Sequence, residues 1–295
     1  MAKMSVLLDV CSACGSRCKY CIHQSKRLCK RENMSQESFD AITEVLLREG
    51  FRDVYLYFTG EPLLNPLYPE FLSSCGVRGF ASVNTATKLN AKVDWDDMDC
   101  ALGFCDNSHV FFLVGVDSLE DESLKAISPG ASAELLNANL EGLSRTVAKH
   151  RRVKVLVNTV VTRPNEKQLA DIERRCLSLG FDWSRREMGF FMSRRAEPSD
   201  VEAVAALVPS CGSSRFKIEN GVVFSGRSGR CTDLLEPGIS PTGDVVVCCH
   251  DMLYEGVVGN ILKTKSLIGI LNSKEYQDTL SQCRKMEAVF CKGCS

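Results

Sequence analysis

The chain has 295 residues, 44% of them hydrophobic and 25% charged, with a formal net charge of −1. That composition is ordinary for a soluble globular protein of one large or two modest domains, and so small a charge gives no global field towards nucleic acid or a membrane. No apolar run is long enough to span a bilayer. The first ten residues are too short and too quickly acidic for a secretory signal. The expected compartment is the reducing cytoplasm, where disulfides do not persist, so the sixteen cysteines point to ligation or redox chemistry.

In chain order, β-type runs at 5–10, 54–58, 80–84, 110–116, 153–161 and 188–192 alternate with amphipathic stretches. Ser35 can cap a helix that places Phe39, Ile42, Val45 and Leu46 on one face and stops before Gly50. Ser132 can cap another, carrying Leu135, Leu136, Leu140 and Leu143. Asn165 can cap a third, with Leu169, Ile172 and Cys176, ending at Gly180. Alternation of this kind predicts an α/β fold of parallel strands with right-handed crossovers, an open partial (β/α)6 barrel. Sites in such folds gather at the C-terminal ends of the strands. Pro, Ser and Gly accumulate from 197 to 214, which suggests one domain over 1–205 and a second over 206–295. The second part carries β-like pieces at 221–225 and 243–247 and a cysteine-dense ending.

Directly after the first strand stands Cys14-Gly15-Ser16-Arg17-Cys18-Lys19-Tyr20-Cys21. Three thiolates on one short loop can hold three irons of a [4Fe–4S] cluster and leave the fourth open to a small molecule, which a four-cysteine electron carrier does not. The competing reading pairs Cys11 with Cys14 and Cys18 with Cys21 around zinc. The three residues between those pairs are far fewer than a zinc ribbon needs.

The cysteine spacing resembles that of the radical S-adenosylmethionine (SAM) enzymes, and further motifs agree. Thr59-Gly60-Glu61-Pro62, after the second strand, resembles the family's GGEP motif, which receives the SAM amino group. Asn84 occupies the place of the third-strand motif. Val114-Gly115-Val116-Asp117-Ser118 resembles the fourth-strand S-x-D-G motif, with Gly115 where a serine often touches the ribose. Val161, at the end of the fifth strand, would offer backbone to adenine. The resemblance thus implies SAM bound by Gly60, Glu61, Asn84, Asp117 and Val161, on a cluster held by Cys14, Cys18 and Cys21.

Cys231, then Cys248-Cys249-His250-Asp251 after a Gly-Asp-Val turn, then Cys291-Lys292-Gly293-Cys294 resemble the twitch domain, the short form of SPASM. It implies an auxiliary [4Fe–4S] cluster on Cys231, Cys248, Cys291 and Cys294, with structural zinc on the same residues as the alternative. Adjacent β-residues point to opposite faces, so one hairpin rarely offers both Cys248 and Cys249 to one cluster. Aligned on the family hairpin, Cys248 is the ligand and Cys249 a spare thiol able to return a hydrogen atom to a carbon radical; the opposite assignment remains open. Arg227 resembles an arginine preceding the auxiliary-cluster cysteine in aminocyclitol dehydrogenases, where it would orient a substrate hydroxyl. Asp251 could bind a substrate amine or finish the hairpin.

These resemblances imply an epimerase of an aminoglycoside or amino sugar, reduced by a flavodoxin- or ferredoxin-type donor. In it the 5′-deoxyadenosyl radical takes a hydrogen and Cys249 returns one to the other face. The cluster loop lies so near the start that no leader-binding domain is expected before it, which favours a small substrate. An aminocyclitol dehydrogenase, a peptide maturase or epimerase, and a zinc-stabilised binding module are the alternatives.

Overall fold

The structure is a computed structural model that describes residues 5–22, 32–189, 198–213, 215–219, 222–225, 236–288 and 291. Arg227, Cys231 and Cys294 lie outside the described residues.

Strand β1 (Val6–Leu8) leads through the cysteine loop to helix α1 (Gln36–Arg48). There follow β2 (Asp53–Tyr55), a 3-10 turn (Pro62–Leu64), α2 (Tyr68–Arg78), β3 (Ser82–Thr87), α3 (Trp95–Gly103) and β4 (His109–Gly115). The helices α4 (Asp121–Ile127) and α5 (Ala133–Val147) precede β5 (Val153–Val160), α6 (Leu169–Ser178) and β6 (Asp182–Arg186). All neighbours from β1 to β6 pair in parallel, in sequence order. This is the predicted α/β fold with the six-strand order of a partial barrel.

The remainder comprises α7 (Pro198–Ala205), the antiparallel pair β7 (Phe216–Glu219) and β8 (Val222–Ser225), then β9 (Gly238–Ile239), β10 (Asp244–Val246), β11 (Val257–Asn260), α8 (Ile261–Thr264), α9 (Leu267–Leu271) and α10 (Lys274–Arg284). Strand β9 pairs parallel to β1 and antiparallel to β10, so a single nine-stranded sheet runs β11-β10-β9-β1-β2-β3-β4-β5-β6. The short Gly-Ile strand β9 carries too little pattern to read from sequence, yet it joins the two parts of the chain.

Helices form where capping and apolar spacing coincide. Ser35 Oγ accepts the Ser38 N–H at 3.1 Å, and Phe39, Ile42, Val45 and Leu46 of α1 are buried. The rings of Phe39 and Phe71 stack at 4.2 Å between α1 and α2. Ser132 Oγ likewise accepts the Leu135 N–H at 3.2 Å, and Leu136, Leu140 and Leu143 face inward from α5.

Two expectations need correction. The sixth strand of the parallel series is Asp182–Arg186, and most of the run expected at 188–192 lies outside the described residues. This strand is a sheet edge whose side chains are exposed or half-buried, so the hydrophobic alternation that marks inner strands is missing. Helix α6 is capped by Gln168 without a side-chain bond, not by Asn165. Asn165 is fully buried and serves the loop before the helix. Its Oδ1 accepts the Thr162 N–H at 2.7 Å, while Nδ2 donates to the carbonyls of Asp117 (2.7 Å) and Val160 (2.8 Å).

Candidate active site

Three buried carboxylates tie the C-terminal ends of the first five strands to one another. Asp9, just past β1, accepts from Thr59 beyond β2, through Oγ1 at 2.5 Å and N–H at 3.3 Å. Glu61 accepts from Thr87 Oγ1 at 2.6 Å and the Lys88 N–H at 2.8 Å, both at the end of β3, and from the Leu63 N–H at 3.3 Å. Lys88 Nζ donates to Asp117 Oδ2 at 2.5 Å beyond β4, and Asp117 Oδ1 accepts the Val160 N–H of β5 at 3.2 Å. Asp9 and Asp117 are fully buried and Glu61 is 3% exposed. Burial pushes the Glu61 carboxyl above its ordinary value, against the hydrogen bonds that favour the anion. Burial also works against the Lys88 ammonium, but the Asp117 carboxylate and the Cys18 sulfur outweigh it and hold the amine above the ordinary lysine value.

The cysteine loop rests on this rim. Gly60 makes a close approach that no other residue allows: a Cβ there would stand 2.3 Å from the Cys11 carbonyl oxygen and 2.5 Å from that of Ala13. The Glu61 N–H donates to the same Ala13 oxygen at 2.7 Å. On its other side the loop is held by Lys19 N–H to Ile127 O and Gly130 N–H to Ser16 O, both 3.0 Å. Cys18 is 6% exposed and its sulfur accepts from Ser128 Oγ at 3.0 Å. Cys14 and Cys21 are half-buried. Burial raises the thiol pKa values of Cys14 and Cys18, and at Cys18 the Lys88 ammonium opposes it.

Cys11 stands apart from the three. Its backbone bridges to Asn33, its side chain is buried, and its Sγ faces the Ala13 carbonyl at 3.7 Å. Burial pushes this thiol up to about 11. The Thr162 hydroxyl oxygen, just past β5, is buried without a hydrogen-bond partner, and the Ser16 hydroxyl is buried beside Cys14 on the cysteine loop.

In the C-terminal part the two adjacent cysteines pack in different clusters, although their thiols remain within hydrogen-bond reach of each other. Cys248 is 5% exposed and joins the main core with Tyr276, Cys283 and Ala288, against which Cys291 packs. Cys249 is half-buried and packs on a separate cluster of Leu7, Phe58, Val246, Tyr55, Tyr57 and Tyr254, over the ends of β1 and β2. A hydrogen bond with Cys249, then burial, drive the Cys248 thiol far above its ordinary value. A hydrogen bond from Cys283 draws the Cys291 thiol below it. Cys283, buried in the last turn of α10, was not singled out from the sequence, where it reads as one more apolar position of an amphipathic helix. Among the described residues no three Cys, His, Asp or Glu side chains converge closely enough to hold a metal ion as they stand.

Asp251 closes the turn after Cys249: its carboxylate accepts the Glu255 and Gly256 N–H groups at 2.9 and 2.8 Å and is buried. Tyr254 then reaches Asp9 Oδ2 with its hydroxyl at 2.8 Å, fastening this segment to the rim.

Residues 236–295 match the SPASM family, an iron–sulfur cluster-binding domain. No curated relative matches the chain by sequence. The fold matches BtrN in complex with AdoMet and 2-DOIA, at TM-score 0.58 and 14% identity, over 100% of this chain and 94% of that one. It matches anSMEcpe with bound AdoMet at TM-score 0.65 and 14% identity, over 99% and 88% of the two chains. It matches Streptococcus suis SuiB bound to precursor peptide SuiA at TM-score 0.64 and 14% identity, over 94% and 66%. The fold is that of the radical SAM enzymes.

The cysteine loop stands at the C-terminal ends of the parallel strands. The site residues expected from sequence divide accordingly. Cys14, Cys18, Cys21, Gly60, Glu61 and Asp117 meet on one rim. Val161 is at its border, with its N–H bonded to Arg186 O at 2.9 Å. Asn84 lies lower, within β3, and donates to Ser82 Oγ at 3.0 Å. The side chains of Glu61 and Asp117 already bond this chain's own donors, so their roles here begin with holding the rim. The donor set fits an iron–sulfur cluster: three thiols on one loop, one of them accepting a hydroxyl hydrogen bond. Among the described residues no helix is long and apolar enough to cross a membrane.

Proposed function

We propose that the protein is a radical SAM epimerase that inverts one carbon of an amino sugar, as neomycin C epimerase does in an aminoglycoside. Cys14, Cys18 and Cys21 hold the N-terminal [4Fe–4S] cluster, and Cys231, Cys248, Cys291 and Cys294 the auxiliary one. SAM binds on the rim of Gly60, Glu61, Asp117 and Val161, with Asn84 below it. Once reduced by a flavodoxin- or ferredoxin-type donor in a reducing cytoplasm, these groups supply a 5′-deoxyadenosyl radical for hydrogen abstraction and the electron that, with a proton, restores a spent thiol.

The observation that carries the reading is the different packing of Cys248 and Cys249, whose thiols nonetheless stay within hydrogen-bond reach of each other. Cys248 turns into the core beside Cys283 and Cys291, as a ligand would. Cys249 turns towards Tyr55, Tyr57, Phe58 and Tyr254 over the strand ends. There its S–H bond can break, the hydrogen atom completing a new C–H bond on the face opposite to the one attacked and the sulfur keeping the unpaired electron. Arg227 orients a substrate hydroxyl.

Turned over in D2O with candidate aminoglycosides, the anaerobic enzyme places one deuterium at the inverted carbon. Cys249→Ala still forms 5′-deoxyadenosine but does not invert. Normal inversion by Cys249→Ala refutes the donor role.

The whole-chain likeness to BtrN supports a second reading, dehydrogenation of an aminocyclitol alcohol. It needs no thiol donor, and its product is lighter than the substrate by two hydrogens.

A further inference from the structure

We propose that Lys88 and Asp117 form a charged pair that sets the reduction potential of the N-terminal cluster through the Cys18 sulfur, a role that rests on reading Cys14, Cys18 and Cys21 as its ligands. The pair is built rather than incidental. Asp117 is fully buried, and one oxygen takes both Lys88 Nζ at 2.5 Å and Tyr20 OH at 2.7 Å. Its other oxygen takes the Val160 N–H and its carbonyl the Asn165 amide, so the carboxylate is fixed on every side. Lys88 is steered over β4 by Gly115, where a Cβ would come within 2.7 Å of Lys88 Cδ. That accounts for glycine at a position where the family often has serine.

The pair is tied to the cysteine loop, since Tyr20, two residues past Cys18, bonds the same Asp117 oxygen as Lys88. Lys88 lines one small cavity together with Ser16, Gly115 and Ser128, and Ser128 is the donor to Cys18 Sγ. The Lys88 side chain and the hydroxyl that bonds the Cys18 sulfur thus border the same cavity.

Reduction adds one negative charge to a cluster. A nearby cation and hydrogen bonds to its sulfurs stabilise the reduced form, more strongly where water is excluded. In this role Lys88 acts through the Cys18 sulfur, as a positioning residue. Removing its charge makes the cluster harder to reduce, and removing the carboxylate makes it easier.

The test is a redox titration followed by electron paramagnetic resonance on the full-length, anaerobically reconstituted protein without SAM. The N-terminal signal is identified as the one lost in Cys18→Ala. Lys88→Met lowers its midpoint, with about tenfold less reduced cluster at a fixed poise, equivalent to ~59 mV for one electron. Asp117→Asn raises it, Ser128→Ala lowers it, Lys88→Arg restores it, and the auxiliary midpoint stays put in all four. Unchanged midpoints, or shifts of one sign in Lys88→Met and Asp117→Asn with iron content intact, overturn the proposal. A wild-type protein without a cluster at the triad overturns instead the reading on which it rests.

Discussion

At the level of single residues, the site is organised by acids that hold the scaffold. Asp9, Glu61 and Asp117 are buried side chains that would cost several kcal/mol if left unpaired. Each is matched by donors from the next strand end, so the charge that must be buried becomes the tie between neighbouring loops. Gly60 makes the closest of these joints. Gly60→Ala forces its methyl into the Cys11–Ala13 backbone, which cannot give as a flexible side chain would. The expected cost is about 1–3 kcal/mol, read from denaturant unfolding, together with loss of iron from the N-terminal loop. Unchanged stability and iron content would mean that the loop does not rest on the Gly60 turn. From the sequence, the identity of the cysteines and of Gly60 was plain, because spacing and turn chemistry are local. The partners of Asp117 were not. Tyr20, Lys88 and Asn165 are far from it in the chain, and only the folded sheet brings them to one carboxylate.

At the level of elements, local signals succeeded where one interaction decides. Ser35 and Ser132 both accept the N–H three residues on, as their sequence contexts predict. Ser132→Ala should cost about 1 kcal/mol in denaturant unfolding without changing 5′-deoxyadenosine formation by the folded enzyme. A loss below a few tenths would mean that tertiary packing alone starts α5. Asn165 shows how such a signal misleads. An asparagine shortly before a helix can cap it, but this one bonds Thr162, Asp117 and Val160 instead, and α6 starts at Leu169. Strand β6 was missed for a different reason. An edge strand needs no hydrophobic alternation, and Trp183 finds its partner in the Thr159 hydroxyl of β5 at 2.9 Å.

Across the whole molecule, β1 lies inside the sheet, flanked by β2 on one side and β9 on the other. The strand that launches the cysteine loop is therefore paired on both edges, one of them supplied by the C-terminal part. The same part brings Tyr254 to Asp9 and Cys249 to the aromatic residues past β2. The β/α alternation was legible because each unit is a repeated local pattern. The joining of the two parts through a two-residue strand was not, since so short a segment has no periodicity to read. The central claim is that this arrangement keeps one iron open to SAM on the Cys14–Cys18–Cys21 loop. The most direct test is to measure metal content and 5′-deoxyadenosine formation together on anaerobically purified, reduced protein given SAM. The account predicts about eight irons per chain and 5′-deoxyadenosine that disappears in Cys18→Ala. Zinc in place of iron at the loop, or no 5′-deoxyadenosine from fully loaded protein, would contradict it.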